Sequence, residues 1–152
     1  MDKPFYVSKE GLEKLEKELN HLQTTRRIEV ANRIEKAKDM GDLSENAEYA
    51  DAKDEKAFLE GKILELRDKV KRAEIIAHKK TGIIDVGSKV VLICNGEERK
   101  YHIVGPNDAE PAEGKISNET PLAEGLLGRK VDDEVEINIP AGKLKCVVKK
   151  VE

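Results

Sequence analysis

Apolar residues at spacings of three and four mark the first half of the chain as helical. The first set comprises Leu12, Leu15, Leu19 and Leu22, and the second comprises Ala52, Leu59, Ile63, Leu66, Val70 and Ala73. This spacing places each set along one helix face, as in the a and d positions of a coiled coil. Residues 8–76 are therefore predicted to be helical almost throughout, with Ser8 as the first N-cap.

The helical pattern is interrupted twice. At residues 24–27 the apolar stripe stops, and it resumes in a shifted register with Ala31 and Ile34. At Gly41 the pattern ends, as expected of a glycine that terminates a helix in a left-handed conformation. The simplest arrangement is an antiparallel helical hairpin that turns near residues 41–44, with arms of about 30 residues and about 45 Å. Such an arm has no core beyond its seam and is predicted to protrude.

After residue 82 the pattern changes to an alternation of period two. It predicts strands around residues 89–94, 101–104, 115–117, 135–139 and 144–148. Asn95-Gly96 supplies the positive-φ pair of a hairpin turn. Thr120-Pro121 is typical of the N-cap and first residue of a short helix, which Gly128 ends. Residues 82–152 are thus predicted to form a small antiparallel sheet with one short helix.

The predicted fold class is α + β, with two domains. Residues 1–78 form the antiparallel coiled-coil hairpin, with an acidic tip near 41–49, and residues 79–152 form a small globular α+β domain. Charged residues make up 39% of the chain and aromatic residues 3%. This balance favours an extended, solvated helical part beside a modest globular part.

The two cysteines and the N-terminus bear on the compartment. Cys94 and Cys146 lie on predicted strands far apart in sequence, which suits buried thiols in a reducing cytosol, and no spacing indicates zinc. The N-terminus has no apolar run of signal-peptide length. No segment approaches the roughly 20 apolar residues that cross a bilayer. A cytoplasmic protein without a membrane contact is predicted.

The acids Asp42 and Glu45 at the predicted turn have two interpretations. Hard divalent cations take oxygen ligands, so a carboxylate pair can bind a metal ion. Alternatively, Asp42 is the N-cap of the second arm and Glu45 its N3 residue, which is a capping box. From the spacing alone the capping box is the commoner outcome. Ser44 is a further candidate cap, which would leave both acids pointing outward.

The remaining polar residues do not predict an independent enzyme. His21, His78 and His102 have no metal-ligand spacing, and neither a Gly-x-Ser-x-Gly motif nor a phosphate-binding glycine loop is present. The net charge of −3 does not indicate nucleic-acid binding by overall attraction.

Residues 41–49, GDLSENAEY, resemble the tip signature of the GreA/GreB family of bacterial transcript cleavage factors. The segment 6–15 is similar to the start of the family's first helix, and residues 120–128, TPLAEGLLG, resemble an element of its C-terminal domain. The resemblance covers essentially the whole chain. The acidic charge balance of the chain is closer to that of the GreA branch than to that of the more basic GreB branch.

The resemblance implies a function at RNA polymerase. In the family, a C-terminal domain with an FK506-binding-protein-like fold docks at the rim of the polymerase secondary channel. The coiled coil enters the channel, and its tip stimulates the polymerase's own cleavage of the nascent RNA 3′ end in backtracked complexes. The expected partners are therefore bacterial RNA polymerase and the nucleic acid of the elongation complex, and the protein itself is expected to be a monomer and not an enzyme.

The resemblance also implies site residues. Asp42 and Glu45 match the tip acids that help to hold a second Mg²⁺ and to orient the attacking water. Two-metal phosphoryl transfer needs both ions in place, so a polymerase that holds its second ion weakly gains from an imported carboxylate pair. Two residues are expected to suffice for this, because Mg²⁺ usually takes only one or two protein carboxylates. No cofactor is expected on the isolated protein, and Mg²⁺ is expected only in the complex. Tyr49 is either catalytic, near the RNA end, or a seam residue that closes the hairpin.

Two further surfaces follow from the resemblance. A basic stripe on the first arm resembles the family's RNA-contacting patch, although a solvated helix face is the ordinary interpretation; it comprises Arg26, Arg27, Arg33, Lys36 and Lys38. The corner formed by Glu119, Thr120, Pro121 and Leu122 matches residues that contact the polymerase rim.

Two alternative functions remain. The first is an inhibitory relative that binds the same channel, although known inhibitory tips are more acidic and differently arranged. The second is a peptidyl-prolyl-isomerase-like binding module with a coiled-coil arm. Against the second, Tyr101 is the one aromatic residue after Phe58, which is too few to line an isomerase pocket.

Overall fold

The computed structural model of the protein describes residues 3–42, 45–78 and 80–152. They divide into two compact units. The helical unit is Leu12–Arg72, and the β unit is Ala73–Glu152 together with Met1–Gly11. The predicted division at residues 78 and 79 therefore differs from this one, because the N-terminal segment and the residues that follow the second arm belong to the β unit.

The helical unit is an antiparallel hairpin, as predicted. Its elements are α1 (Lys9–His21), a π-helical turn (Leu22–Arg26), α2 (Arg27–Lys38) and α3 (Ala47–Arg72). Val30 of α2 is buried against Leu59 and Ile63 of α3, where all three side chains are at most 5% exposed. The periodic apolar residues therefore form a narrow seam between the arms, because each arm offers only one apolar face.

The π-helical turn explains the shift in the apolar register. The Arg27 backbone N–H donates to the carbonyl of Leu22, five residues back, so this turn holds one residue more than an α-helical turn. The Thr24 hydroxyl also donates to the carbonyl of Asn20, at 2.7 Å. The extra residue lets Leu22 and Val30 pack on the same seam, although they are eight positions apart.

The first helix begins as predicted, but the third ends earlier. The Ser8 hydroxyl accepts from the backbone N–H of Gly11, at 3.0 Å, which confirms the cap. Helix α3 ends at Arg72, and Ala73–Ile75 is strand β2, which pairs in parallel with β1 (Phe5–Val7). The prediction of helix up to residue 76 was wrong here, because a distant segment offers this stretch a backbone partner.

The β unit contains a sheet and one short helix. Among the described residues the sheet strands are β3 (Lys89–Cys94), β4 (Glu97–Val104), β5 (Lys115–Ser117), β6 (Glu134–Ile139) and β7 (Gly142–Val151), and the helix is α4 (Pro121–Leu126). The strand order is β5-β4-β3-β7-β6. The α + β class is confirmed, whereas the FK506-binding-protein-like fold stays a prediction.

The sheet is mixed, and the prediction of a purely antiparallel sheet was wrong. Strands β3, β4, β6 and β7 pair antiparallel, but β5 runs parallel to β4. Two short 3-10 turns, Pro106–Asp108 and Pro111–Glu113, carry the chain from the end of β4 to the start of β5. A parallel pair needs such a crossover, and the alternation of apolar residues does not report strand direction.

The predicted turn and cap residues of the β unit are confirmed. Asn95 and Gly96 have φ angles of 52° and 84° in the turn between β3 and β4. The Thr120 side chain accepts from the N–H of Ala123, at 3.2 Å, and Pro121 is the first residue of α4. Helix α4 covers the sheet core, where Ala123 and Leu126 are fully buried. Thus the corner before α4 is fixed by packing as well as by its cap.

Cys94 and Cys146 form a disulfide, which corrects the prediction of two separate thiols. The residues lie opposite each other on the neighbouring antiparallel strands β3 and β7, with their Cα atoms 4.2 Å apart. Both side chains are at most 1% exposed. Their 52-residue separation in sequence concealed this pairing, because β3 and β7 become neighbours only when the sheet forms.

Candidate functional site

The backbone of the hairpin tip reverses between α2 and α3. Helix α2 ends at Lys38, and Gly41 takes a φ angle of 133°, in the region that favours glycine. The N–H of Glu45 donates to the carbonyl of Asp42, at 3.4 Å, so these two residues lie at the ends of one tight turn. Leu43 and Ser44, including the candidate Ser44 cap, lie outside the described residues.

Asn46 caps helix α3, which corrects the capping-box interpretation of Asp42 and Glu45. Its side-chain oxygen accepts from the N–H of Tyr49, at 3.1 Å, and its carbonyl accepts from the N–H of Ala50, also at 3.1 Å. Because α3 begins at Ala47, Asp42 and Glu45 both precede the cap. Asparagine is among the strongest N-caps, so the cap was recognisable in principle, but Asp42 and Ser44 competed with it in the sequence.

Asp42 and Glu45 are exposed, and a backbone hydrogen bond joins the two residues. Two carboxylates of this kind suit Mg²⁺, which usually takes one or two from a protein and fills its other positions with water and phosphate oxygens. Within residues 3–42, 45–78 and 80–152, no three His, Cys, Asp or Glu side chains lie together as a metal site.

Tyr49 is a half-buried residue in the first turn of α3. The ammonium of Lys53, one helical turn further on, lies 5.3 Å from the centre of the Tyr49 ring, within the range of a cation–π contact. Its backbone N–H is used by the Asn46 cap. Both contacts are local to the start of α3, so the seam role and the catalytic role of Tyr49 both stay predictions.

The three arginines of the predicted basic stripe bind acids on α3. Arg27 donates to both oxygens of Glu60, at 3.0 and 2.9 Å. Arg26 donates to Glu55, at 2.7 Å, and also pairs with Glu29. These bonds link the two arms, because the arginines lie on the first arm and Glu55 and Glu60 on the second. Charge-assisted hydrogen bonds are stronger than neutral ones, and paired bonds such as those of Arg27 also fix the geometry.

Arg33 and Glu55 form the centre of this ion-pair network. Arg33 donates to Glu48, at 2.8 Å, and also to Glu55. Hydrogen bonds first to Glu48 and then to Glu55 raise the pKa of the Arg33 guanidinium above its ordinary value. Hydrogen bonds from Arg33 and then from Arg26 lower the pKa of the Glu55 carboxyl below 4.5. The basic stripe is thus partly neutralised, whereas Lys36 and Lys38 are exposed at the tip end of α2.

The predicted docking corner is ordered by the cap of α4. Glu119 and Pro121 are exposed, while Thr120 and Leu122 are half-buried. The Thr120 hydroxyl donates to the carbonyl of Ser117, at 2.8 Å, and Leu122 packs against the core of the β unit. The corner therefore presents Pro121 from a rigid base.

Comparison with known proteins places the chain in a family. The family described as "Transcription elongation factor, N-terminal" matches residues 5–75, and "Transcription elongation factor, GreA/GreB, C-term" matches residues 79–152. The chain belongs to the GreA/GreB family. It is a transcription elongation factor of that family, and the two matches divide close to the predicted domain boundary.

Relatives in the GreA/GreB family align along nearly their whole length. "Transcription elongation factor GreA" of Listeria welshimeri is 46% identical over 154 residues, which cover 99% of this chain and 96% of the relative. The protein of the same name from Halalkalibacterium halodurans is 44% identical over 151 residues, covering 97% and 96%. Among solved structures, GreA factor homolog 1 of Thermus thermophilus is 28% identical, covers 99% of both chains and has a TM-score of 0.45.

None of the helices in the described part of the chain is both long enough and apolar enough to cross a bilayer.

Proposed function

We propose that this GreA/GreB family member is a transcript cleavage factor, which brings the carboxylates of Asp42 and Glu45 to the active site of RNA polymerase. The observation that supports it is the exposed acid pair on one tight turn at the end of an antiparallel hairpin. Asn46, not Asp42, supplies the cap of α3, so the structural need that best explained the acids is already met.

The chemistry proposed for the tip is shared with the partner. Asp42 and Glu45 would hold Mg²⁺ together with carboxylate and phosphate oxygens of the elongation complex, and their oxygens would accept hydrogen bonds from the attacking water. When bound, the ion supplies charge stabilisation for the attacking and leaving oxygens of phosphoryl transfer. Because the chain provides only two carboxylates, the free protein is expected to bind Mg²⁺ weakly. In this mechanism the chain stimulates cleavage by the polymerase and is not itself the enzyme.

The contact with the polymerase is assigned to the corner Glu119–Leu122. The Thr120 cap and the packing of Leu122 hold Pro121 in an exposed position, where it can fit an apolar site at the rim of the secondary channel. A rigid corner loses little conformational freedom on binding, which favours a specific contact. The protein would act as a monomer in the cytoplasm, where it meets the polymerase and the nascent RNA 3′ end.

The ion pairs of the arginines support a smaller RNA contact than the basic stripe. Arg26, Arg27 and Arg33 would have to leave their carboxylate partners before they could contact RNA. Lys36 and Lys38 are exposed near the tip, and we assign the contact with RNA phosphates to them. Phosphate contacts of this type carry no sequence information, as a general elongation factor requires.

A cleavage assay on a defined backtracked elongation complex tests the proposal. Wild-type protein should stimulate release of the RNA 3′ segment, whereas Asp42→Ala and Glu45→Ala should lose more than about tenfold of the stimulated rate, since even outer-shell partners of metal sites have effects of this size. Both variants should still compete with wild type for the polymerase.

Asp51→Ala is the matched control, because Asp51 is an exposed acid in the second turn of α3. It makes the same change in charge and should retain stimulation. Full activity of Asp42→Ala would contradict the tip mechanism. Inhibition of both cleavage and RNA synthesis by the wild-type protein would instead identify an inhibitory channel-binding relative.

A further inference from the structure

The side chain of Asn46 bonds to both ends of the tip. Its Oδ1 accepts from the N–H of Tyr49 in the first turn of α3, at 3.1 Å. Its Nδ2 donates to the carbonyl of Ala37 in the last turn of α2, at 2.5 Å. One primary amide therefore caps the second arm and simultaneously holds it to the first.

The bond to Ala37 closes a loop that contains both proposed metal-binding acids. Asp42 and Glu45 lie between Ala37 and Asn46, and the Ala37 carbonyl also accepts from the N–H of Met40, at 3.1 Å. Ala37 itself is fully buried, so its carbonyl belongs to the rigid seam and not to the solvated turn. A closed loop samples fewer conformations than an open one, because its ends are fixed relative to each other.

The two hydrogen bonds require an amide. Aspartate, serine and threonine can accept from the N–H of Tyr49, and each is a good N-cap. An ionised carboxylate has no proton to donate to the Ala37 carbonyl, and a serine hydroxyl is shorter and has one proton. The cap alone therefore does not explain asparagine at this position, whereas the bond to Ala37 does.

We propose that Asn46 is a positioning residue that holds Asp42 and Glu45 in place for the cleavage reaction. This inference rests on the proposed function of the tip. Catalytic groups must be held close to their productive geometry, and here both acids are exposed. The bond between Asn46 and Ala37 constrains the segment that carries them, because it anchors this segment to both helices. Asn46 acts only through the acids and contacts neither the ion nor the RNA.

Two substitutions separate the bond between Asn46 and Ala37 from the cap of α3. Asn46→Ser and Asn46→Asp keep an acceptor for the N–H of Tyr49 but remove the donor to Ala37. Ala47→Asp is the matched control for charge, because it adds a carboxylate at the first residue of α3 and leaves both Asn46 bonds in place. The helical circular dichroism of all three variants should equal that of the wild type.

Backbone amide measurements on the free protein provide a readout that does not depend on cleavage. In both Asn46 variants, ¹⁵N relaxation should show increased motion at Gly41, Asp42 and Glu45. Exchange of the Tyr49 amide proton should stay at the wild-type rate, because its acceptor is retained. Ala47→Asp should leave both properties unchanged. An unchanged tip in Asn46→Ser and Asn46→Asp would overturn the inference.

Cleavage kinetics give the second readout. At saturating protein, the stimulated rate of both Asn46 variants should fall about threefold to tenfold, the loss expected for one hydrogen bond. The concentration for half-saturation of the polymerase should be unchanged, and the Mg²⁺ concentration for half-maximal cleavage should rise. Wild-type rates with wild-type Mg²⁺ dependence would overturn the inference.

Asp42→Ala in the same experiment distinguishes the two possible failures. If Asp42→Ala loses stimulation and the Asn46 variants do not, the inference about Asn46 is wrong and the proposed function stands. If Asp42→Ala retains full stimulation, the proposed function is wrong, and the amide measurements alone decide whether Asn46 holds the tip.

Discussion

At the scale of single residues, Glu55 connects the arms of the hairpin near their middle. Its carboxylate accepts from Arg26 and Arg33, which are seven positions apart on the opposite arm and flank the buried Val30. The bonds between Glu55 and these arginines fix the register of the two arms, because a shift of one arm by a helical turn would break both bonds. Polar residues beside the seam thus specify a register that a short apolar seam leaves poorly determined.

The lowered pKa of Glu55 predicts a pH-dependent contribution to stability. A carboxyl group whose pKa is lowered by folding stabilises the folded state above its unfolded pKa, and this contribution is lost as the pH falls through the folded value. Glu55→Gln should therefore lower the melting temperature at pH 7, and its difference from wild type should shrink below about pH 4.5, the ordinary pKa of the group. Thermal unfolding followed by circular dichroism from pH 7 to pH 3 measures this.

Glu16→Gln serves as the control for Glu55→Gln, because Glu16 is an exposed residue of α1. Its effect on the melting temperature should be smaller at pH 7. A pH-independent difference between Glu55→Gln and wild type would show that Glu55 does not stabilise the hairpin through its charge.

At the scale of elements, the π-helical turn keeps the first arm in register with the second. If Leu22–Arg26 were wound as an α-helix with the same number of residues, every position of α2 would be rotated by about 100° relative to α1. Val30 would then leave the seam. The first arm therefore accommodates one extra residue within a single wider turn, which is the usual form of a π-helical turn.

Deletion of Thr25 should be tolerated for this reason. Thr25 is exposed within the π-helical turn, and its removal leaves a continuous α-helix in which Leu22 and Val30 are seven positions apart, on one face. Deletion of Glu35 within α2 is the control, because it rotates Lys36–Lys38 and displaces the buried Ala37. Thermal unfolding should show a much larger loss of stability for the Glu35 deletion, and equal losses would contradict the role assigned to the turn.

At the scale of the whole molecule, the two units have different sources of stability. The helical unit has a seam a few side chains wide and a set of ion pairs, whereas the β unit buries one face of its sheet under α4 and contains the Cys94–Cys146 bond. A domain of this size buries limited apolar surface, so a covalent link between its strands β3 and β7 contributes a large part of its stability. Reducing agents should therefore affect the β unit selectively.

Reduction of the disulfide should destabilise the β unit by about 4 kcal/mol, the loop-entropy value for the 52-residue separation of the two cysteines. Urea unfolding with and without dithiothreitol, followed at a β-unit probe such as Tyr101, measures the difference. The double variant Cys94→Ala with Cys146→Ala should unfold identically with and without the reductant. If wild type is equally insensitive after its thiols are shown to be free, the bond does not stabilise the unit.

Sequence patterns alone predict the helical hairpin, the strands of the sheet in the β unit, the caps at Ser8 and Thr120 and the location of the acidic tip. These features depend on side-chain periodicity and on residues with local backbone preferences, so they are fixed within a few positions of the chain. The resemblance of residues 41–49 to the family pointed to the candidate acids Asp42 and Glu45. This inference was also local, because both acids lie within that one short segment.

The contacts between distant residues come from the packing of the folded chain. In the fold, β1 pairs with β2, β5 runs parallel to β4, Cys94 is bonded to Cys146, and Arg26 and Arg33 bind Glu55. Asn46 also bonds to Ala37 across the tip. Each of these contacts depends on how elements pack, and many pairings are compatible with one periodic pattern. The sequence therefore located the acids, and the packing of the two arms showed what holds their turn.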